Sequence, residues 1–298
     1  MPIPIISQVK QALSRLHPDE IRSQAERPLR ILLVADHHSA YAAMEDWLLP
    51  ASVSTERRMQ VSQLLVRECD PGTSGKFHLV FHERGALPPE SWVSGRDAFA
   101  FDPLHPERLV KAVLTGREEY SLPLARLFPP FREAVVDRAI SKTSKENALF
   151  SLVTALPNIV PSLAELPWAV GEFASDTAVL TANQIHMAFL LAAASGRAVG
   201  FREQRSEIGS IVAGAWGWRT VARQLAGKVP FGGGLIPKAA IAFAGTYVAG
   251  LTLERIYRIG YGLSPQERAE AYEEALARGK AVATALLKRL RGGDEAGR

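Results

Sequence analysis

The apolar positions of this chain change character near its middle. Before about residue 130 they fall in short runs of strand length; beyond it they fill stretches of helix length. Ile31–Ala35 is continuously apolar, which predicts a central parallel strand buried on both faces. Phe77–Phe81 is a second strand and Ala98–Phe101 a third candidate. Residues 39–49 and 55–68 read as helices. Glu107–Leu114 reads as another, after a turn signalled by Asp102 and Pro106. The order β-α-β-(β)-α predicts a small three-layer α/β domain. A helix over about residues 5–25 precedes it.

In the second half, Phe131–Val153 reads as one helix whose charges lie mainly before Ala148. Pro157, Pro161 and Pro167 then argue against one uninterrupted spanning helix over 149–170. Helix 172–195 should end at Gly196 as its C-cap. Its Asp176, Asn183, Gln184 and His186 make it a poor lipid-exposed span; they suit an interhelical seam or the wet edge of a soluble bundle. A helix near 205–226 places Gly209, Ala213 and Gly217 four apart, a spacing that permits close backbone approach, with Trp216 and Trp218 as interface anchors. After Pro230–Gly234, Leu235–Leu253 is 19 residues long with one charge, Lys238. That is the length of a membrane span, and equally of a buried bundle helix. Gly245 and Gly250 are its expected close-packing positions. Ser264 and Glu267 form a capping box around Pro265 and open a last amphipathic helix. The expected segments are an N-terminal helix (1–27), an α/β domain (28–130), a helical module of at least four helices (131–260), and a C-terminal amphipathic helix with its tail (261–298).

Composition narrows the function classes. Of 298 residues 47% are apolar, which excludes disorder as the main state. Net charge is only +4, but it is unevenly spread. Residues 146–196 hold no Lys or Arg, whereas 197–238 carry Arg197, Arg202, Arg205, Arg219, Arg223, Lys228 and Lys238. Such a block suits anionic lipid, an acidic protein surface or a solvated helical face. Basic and aromatic residues do not interleave as in a nucleic-acid reader, so no specific nucleic acid is expected. Cys69 is the only cysteine; it excludes an intrachain disulfide and fits a reducing compartment. The opening residues lack a signal-peptide pattern, and the expected location is the cytoplasm or the cytoplasmic face of the inner membrane.

Candidate chemistry is sparse. Gly72–Lys76 (GTSGK) is not a phosphate loop: two residues separate its glycines, no Ser or Thr follows Lys76, and a strand comes next. It reads as a surface hairpin turn. Asp36, at the end of the first strand, is expected to cap the following helix rather than bind metal. His37, His38, His78 and His82, with Asp36 or Glu83, are the only candidate metal cluster. His78 and His82 share a strand face but lie about 13 Å apart along it, too far for one ion. No catalytic, cofactor-binding or metal residue is assigned, and no cofactor is expected.

The connector DRAISKTSKENALFSLVTALP, the helix DTAVLTANQIHMAFLLAAASG and the later P-x-G plus AFAGTYVAG resemble the family called domain of unknown function 697, over roughly residues 131–257. The matching positions are Asn147, Pro157, Asp176, Gln184, Met187, Gly196, Pro230, Gly232, Thr246 and Gly250. Members of that family are often fused to Era-like GTPase domains and are frequently predicted to associate with membranes. The resemblance therefore implies a degenerate, GTPase-related, P-loop-like head. This head departs from the GTPase pattern: it has no GxxxxGK[ST] loop, no DxxG and no [NT]KxD, and FHERG stands near the second strand. The resemblance implies a non-catalytic membrane-associated or protein-interaction scaffold, with a membrane, a protein partner or a second copy of the chain as partner. The alternative is a nucleotide-binding, GTPase-like regulator with an atypical site.

Overall fold

The computed structural model describes residues 11–70, 75–155, 176–214 and 234–295. The chain divides into two compact units. One comprises Glu20–Asp137 and Ala193–Arg197; the other comprises Met1–Asp19, Arg138–Ala192 and Ala198–Arg298. The first is a small parallel-sheet unit and the second is helical.

The expected helix over 5–25 is broken. A helix ends near residue 13, and α1 (Pro18–Ala25) starts afresh. Pro18 disfavours helical backbone at His17 and suits the first helical position of α1. The sheet unit continues with β1 (Ile31–Val34), α2 (His38–Leu48), α3 (Thr55–Ser62), β2 (Leu65–Arg67), β3 (Leu79–Glu83), β4 (Ala98–Phe101), α4 (Glu107–Gly116) and α5 (Ser121–Leu127). All four strands are parallel, in the order β2-β1-β3-β4. This order is shared with doubly wound α/β folds. All residues of β1 are buried, as a central strand requires.

One expectation is corrected here. Residues 55–68 do not form one helix. Ser54 Oγ caps α3 by accepting the Arg57 N–H at 3.4 Å, but α3 ends at Ser62. Leu65–Arg67 pairs with β1 instead, with Leu65 opposite Ile31. Arg67 is then clamped by the Glu45 carboxylate of α2 through two bonds of 2.7 and 2.6 Å. An open edge of β1 and this charge-assisted fork outweigh a local helix preference. β3 also begins two residues later than the run Phe77–Phe81 suggests. Phe77 leaves the strand to pack with Trp92 against Leu32, Val34, Val80 and Ala98. On the sheet unit's other aromatic cluster, Phe131 stacks on Phe81 with ring centres 6.1 Å apart and meets Trp47 edge-on at 5.9 Å. Phe81 and Phe131 are both fully buried, each contributing about 1.5–3 kcal/mol.

The helical unit is built from most of α6 (Pro129–Val153), α7 (Asp176–Ala194), α8 (residues 205–214), α9 (Leu235–Ile259) and α10 (Pro265–Glu295). Among the described residues no strand follows Phe101. Gly196 has the left-handed backbone (φ +73°) expected of a C-cap beyond α7. The predicted capping box is formed: the Ser264 N–H donates to Glu267 Oε2 at 2.8 Å and the Glu267 N–H to Ser264 Oγ at 3.3 Å. Arg255 and Ser264 together hold the Glu267 carboxyl down at about 2. α9 and α10 form a closely packed antiparallel pair. A Cβ added to Gly279 would lie 2.8 Å from the Ala240 carbonyl oxygen, so the backbones touch there. Gly250 plays the same part toward α6, where a Cβ would lie 2.7 Å from Ile140 Cγ1. Gly245 is buried in the same helix. Pro157, Pro161, Pro167, Trp216, Trp218, Gly217, Pro230–Gly232 and most of GTSGK lie outside the described residues.

Candidate functional site

Ligands of parallel α/β sheets sit beyond the carboxyl ends of the strands, where the strand order reverses. In this sheet that point lies between β1 and β3. The turn there is Ala35-Asp36-His37, without glycine, and it enters α2 directly. The Asp36 N–H donates to Glu83 Oε2 at 3.2 Å. The protein's own carboxylate thus takes an amide that a phosphate loop would offer to phosphate. Asp36 does not cap α2, contrary to the expectation: His37 is the N-cap residue and makes no side-chain cap bond. Beside this turn, Arg84 Nη1 donates to Asp102 Oδ2 at 2.8 Å, and the Leu104 N–H to Asp102 Oδ1 at 3.0 Å. The Leu104 amide and the Arg84 guanidinium hold the Asp102 carboxyl below the usual range.

The histidines are spread over the sheet. His78, just before β3, accepts the Arg30 N–H on Nδ1 at 3.0 Å and packs beside Tyr120. His82 lies four residues on, at the opposite end of the strand, with Nδ1 3.1 Å from the Glu83 carbonyl. Its Nε2 is buried without a hydrogen-bond partner among the described residues. His37 and His38 stand at the start of α2. Among the described residues no three His, Cys, Asp or Glu side chains gather as a metal site.

The helical unit carries the more organised polar cluster. Asn147 Nδ2 donates to Thr246 Oγ1 at 2.8 Å and to the Leu180 carbonyl at 3.3 Å. Asn147 Oδ1 accepts from Asn183 Nδ2 at 2.7 Å. Gln184 Nε2 donates to the same Thr246 oxygen at 3.1 Å. One buried amide therefore ties α6, α7 and α9 together. Three positions carried by the resemblance, Asn147, Gln184 and Thr246, meet at this junction. Met187 is fully buried in the same unit. Asn183 and Gln184 thus line an interhelical seam, one of the two roles the sequence left open to them. What the sequence could not show is that Asn147, 36 residues away, is the partner of Asn183. Asp176 is the first residue of α7.

His186 lies on the same helix. Burial, reinforced by Lys142, pushes it down to about 4. The unfolded chain therefore takes up this proton first. Stability from the neutral imidazole is complete above about pH 6.5 and falls as the pH drops toward 4, by up to roughly 3 kcal/mol. Glu146 works in the opposite direction, because burial raises its carboxyl and protonation relieves that cost. Comparing the chain with His186→Gln cancels Glu146. Chemical unfolding at neutral pH and near pH 4.5 should show the larger acid loss in the native sequence. Equal losses would refute the assignment.

Two helices are long and apolar enough to cross a membrane by length and composition: the window Thr177–Ala194, 78% buried within the protein, and Leu235–Ile259, 44% buried. The neighbours of α9 bear on how it can meet lipid. Arg278 of α10 donates to the Tyr247 hydroxyl at 3.1 Å, and its guanidinium lies 5.0 Å from the Tyr247 ring centre. If the middle of α9 crossed a bilayer in this packing, Arg278 would enter the hydrocarbon with it, at about 2.5–3.5 kcal/mol. The same unit also exposes an edge of aromatic, aliphatic and charged side chains. Phe201 (40% exposed) packs against Phe189 of α7 at 5.2 Å, and Tyr257 of α9 reaches the adjacent Ala188 carbonyl at 3.4 Å. Ile259 and Tyr261 continue outward, 42% and 61% exposed. Arg202, Arg205 and Arg258 are exposed beside them in the chain, with Glu203 and Glu207 among them, and Arg258 Nε donates to Glu254 Oε1 at 2.6 Å. Buried Gln204 fixes the Phe201 corner by accepting the Gly200 N–H at 2.9 Å and donating to the Ala198 carbonyl at 2.8 Å.

No protein-family model, curated protein or solved structure matches this chain.

Proposed function

We propose that this protein is a non-catalytic scaffold that docks its helical unit on an anionic membrane surface from the cytoplasmic side. The observation that carries the reading is the edge of exposed Phe201, Ile259 and Tyr261, with Arg202 and Arg205 exposed next to Phe201 in the chain. Aromatic and aliphatic side chains enter the headgroup region, and arginines meet lipid phosphate. The charged helix α10, packed along α9, favours peripheral attachment over a span. The alternative, a nucleotide-binding regulator related to GTPases, is disfavoured by Glu83, which places negative charge at the Asp36 amide where phosphate would have to sit.

The test is flotation of the full-length purified chain with vesicles of phosphatidylcholine, with and without phosphatidylglycerol. Flotation should require the anionic lipid, decline with salt, and drop in a Phe201→Ser, Arg202→Glu, Arg205→Glu variant. A chain that stays at the bottom of every gradient as a soluble monomer would end the membrane reading. In parallel, GTP with magnesium should give no phosphate release above background. Turnover abolished by a substitution in residues 36–44 would revive the nucleotide reading.

A further inference from the structure

α6 and α10 border a groove of ≈ 410 Å³ that the scaffold reading does not use. Its walls have two chemistries. Leu149 of α6 and Leu286 of α10 supply an apolar floor, while Arg138, Lys142 and Lys145 of α6 supply a cationic side. Lys142 and Lys145 are exposed, and neither forms an ion pair among the described residues. Among the described residues that line the groove, the one acid, Glu146, is part-buried, and its carboxyl is raised by burial. It therefore offers these cations only a weakened counter-charge. The volume lies within the range of small-molecule sites, which runs from about 300 to 1,000 Å³.

We infer that this groove binds a single-chain anionic amphiphile, with its carboxylate or phosphate head at Lys142 and Lys145 and its alkyl tail over Leu149 and Leu286. A free inorganic anion would leave the leucine floor wet. A neutral apolar ligand would leave the lysines without a partner. The inference stands on the groove's own residues, none of which belongs to the Phe201–Tyr261 edge, so the two proposals fail separately.

The experiment is calorimetric titration of the full-length chain with dodecyl phosphate below its micelle concentration. Dodecyltrimethylammonium and inorganic phosphate serve as controls. Dodecyl phosphate should bind one to one and the cationic amphiphile should not. Inorganic phosphate should not displace the bound ligand. Lys142→Glu with Lys145→Glu, both on exposed side chains, should lower affinity by roughly tenfold or more while leaving the unfolding transition in place. Leu149→Asn should weaken dodecyl phosphate and leave the salt dependence of its binding intact. Absence of binding, equal binding of the cationic amphiphile, displacement by phosphate alone, or unchanged affinity in the double lysine variant would each overturn the inference. Vesicle flotation of that variant should match the native chain, which separates groove binding from surface docking.

Discussion

Gly279→Val is expected to part α9 from α10 and to unfold the helical unit at markedly lower denaturant. The Cβ of any residue at 279 would sit 2.8 Å from the Ala240 carbonyl oxygen and 3.1 Å from the Ala240 Cα. Both obstacles are backbone, so no rotamer change relieves them. The helices must separate, and the contacts of Phe243 and Ala283 in the buried cluster beside them are lost with that movement. Overpacking of this kind costs about 1–3 kcal/mol, and here it reaches or exceeds the upper end because a helix pair moves as a unit. Gly209→Ala is the matched control. It lies in α8 with nothing within 4 Å of the new Cβ, and should gain about 0.5–1 kcal/mol from helix propensity. Equilibrium unfolding followed by circular dichroism distinguishes the pair. A Gly279→Val protein as stable as the native chain would show that α9 and α10 do not pack this way in solution.

Asn147→Ala should be at least as damaging, for a different reason. The substitution removes a side chain of modest size but strands the Asn183 Nδ2 donor, and it takes from Thr246 Oγ1 and from the Leu180 carbonyl the bond each accepts from Asn147. The buried donor left without a partner costs about 1–3 kcal/mol and each further hydrogen bond lost about 0.5–1.5 kcal/mol, so a loss of roughly 2–5 kcal/mol is expected. Replacing Asn147, Asn183 and Thr246 together by Leu, Leu and Val removes the fully buried polar atoms and leaves only the part-buried Gln184 amide without its Thr246 partner, so it should recover part of that loss. The recovery is the informative measurement. If the triple variant is less stable than Asn147→Ala, repacking dominates and the hydrogen-bond account of the junction is wrong. The same variants examined by sizing would show whether the junction holds the monomer together or leaves the helices free to exchange between copies.

Much of the architecture was legible because it depends on local periodicity. The continuous run at Ile31–Val34, the capping box at Ser264 and Glu267, and the helix-length apolar stretches are each written within a few turns of chain. They determine a parallel-sheet head, a helical second half and the start of the last helix. Tertiary structure decided the rest, because those outcomes depend on groups distant in sequence. Leu65–Arg67 became a strand only because β1 had an open edge and Glu45 waited for Arg67. Asp36 lost its capping role because the helix starts one residue later, with His37 at the N-cap, while Glu83, 47 residues on, accepts the Asp36 N–H. Asn147 and Thr246 are 99 residues apart, and no spacing rule announces that they meet. Length and composition marked Leu235–Ile259 as able to span a membrane. Only packing revealed that Arg278 lies against its middle, where the cost of desolvating a guanidinium favours the surface over the bilayer.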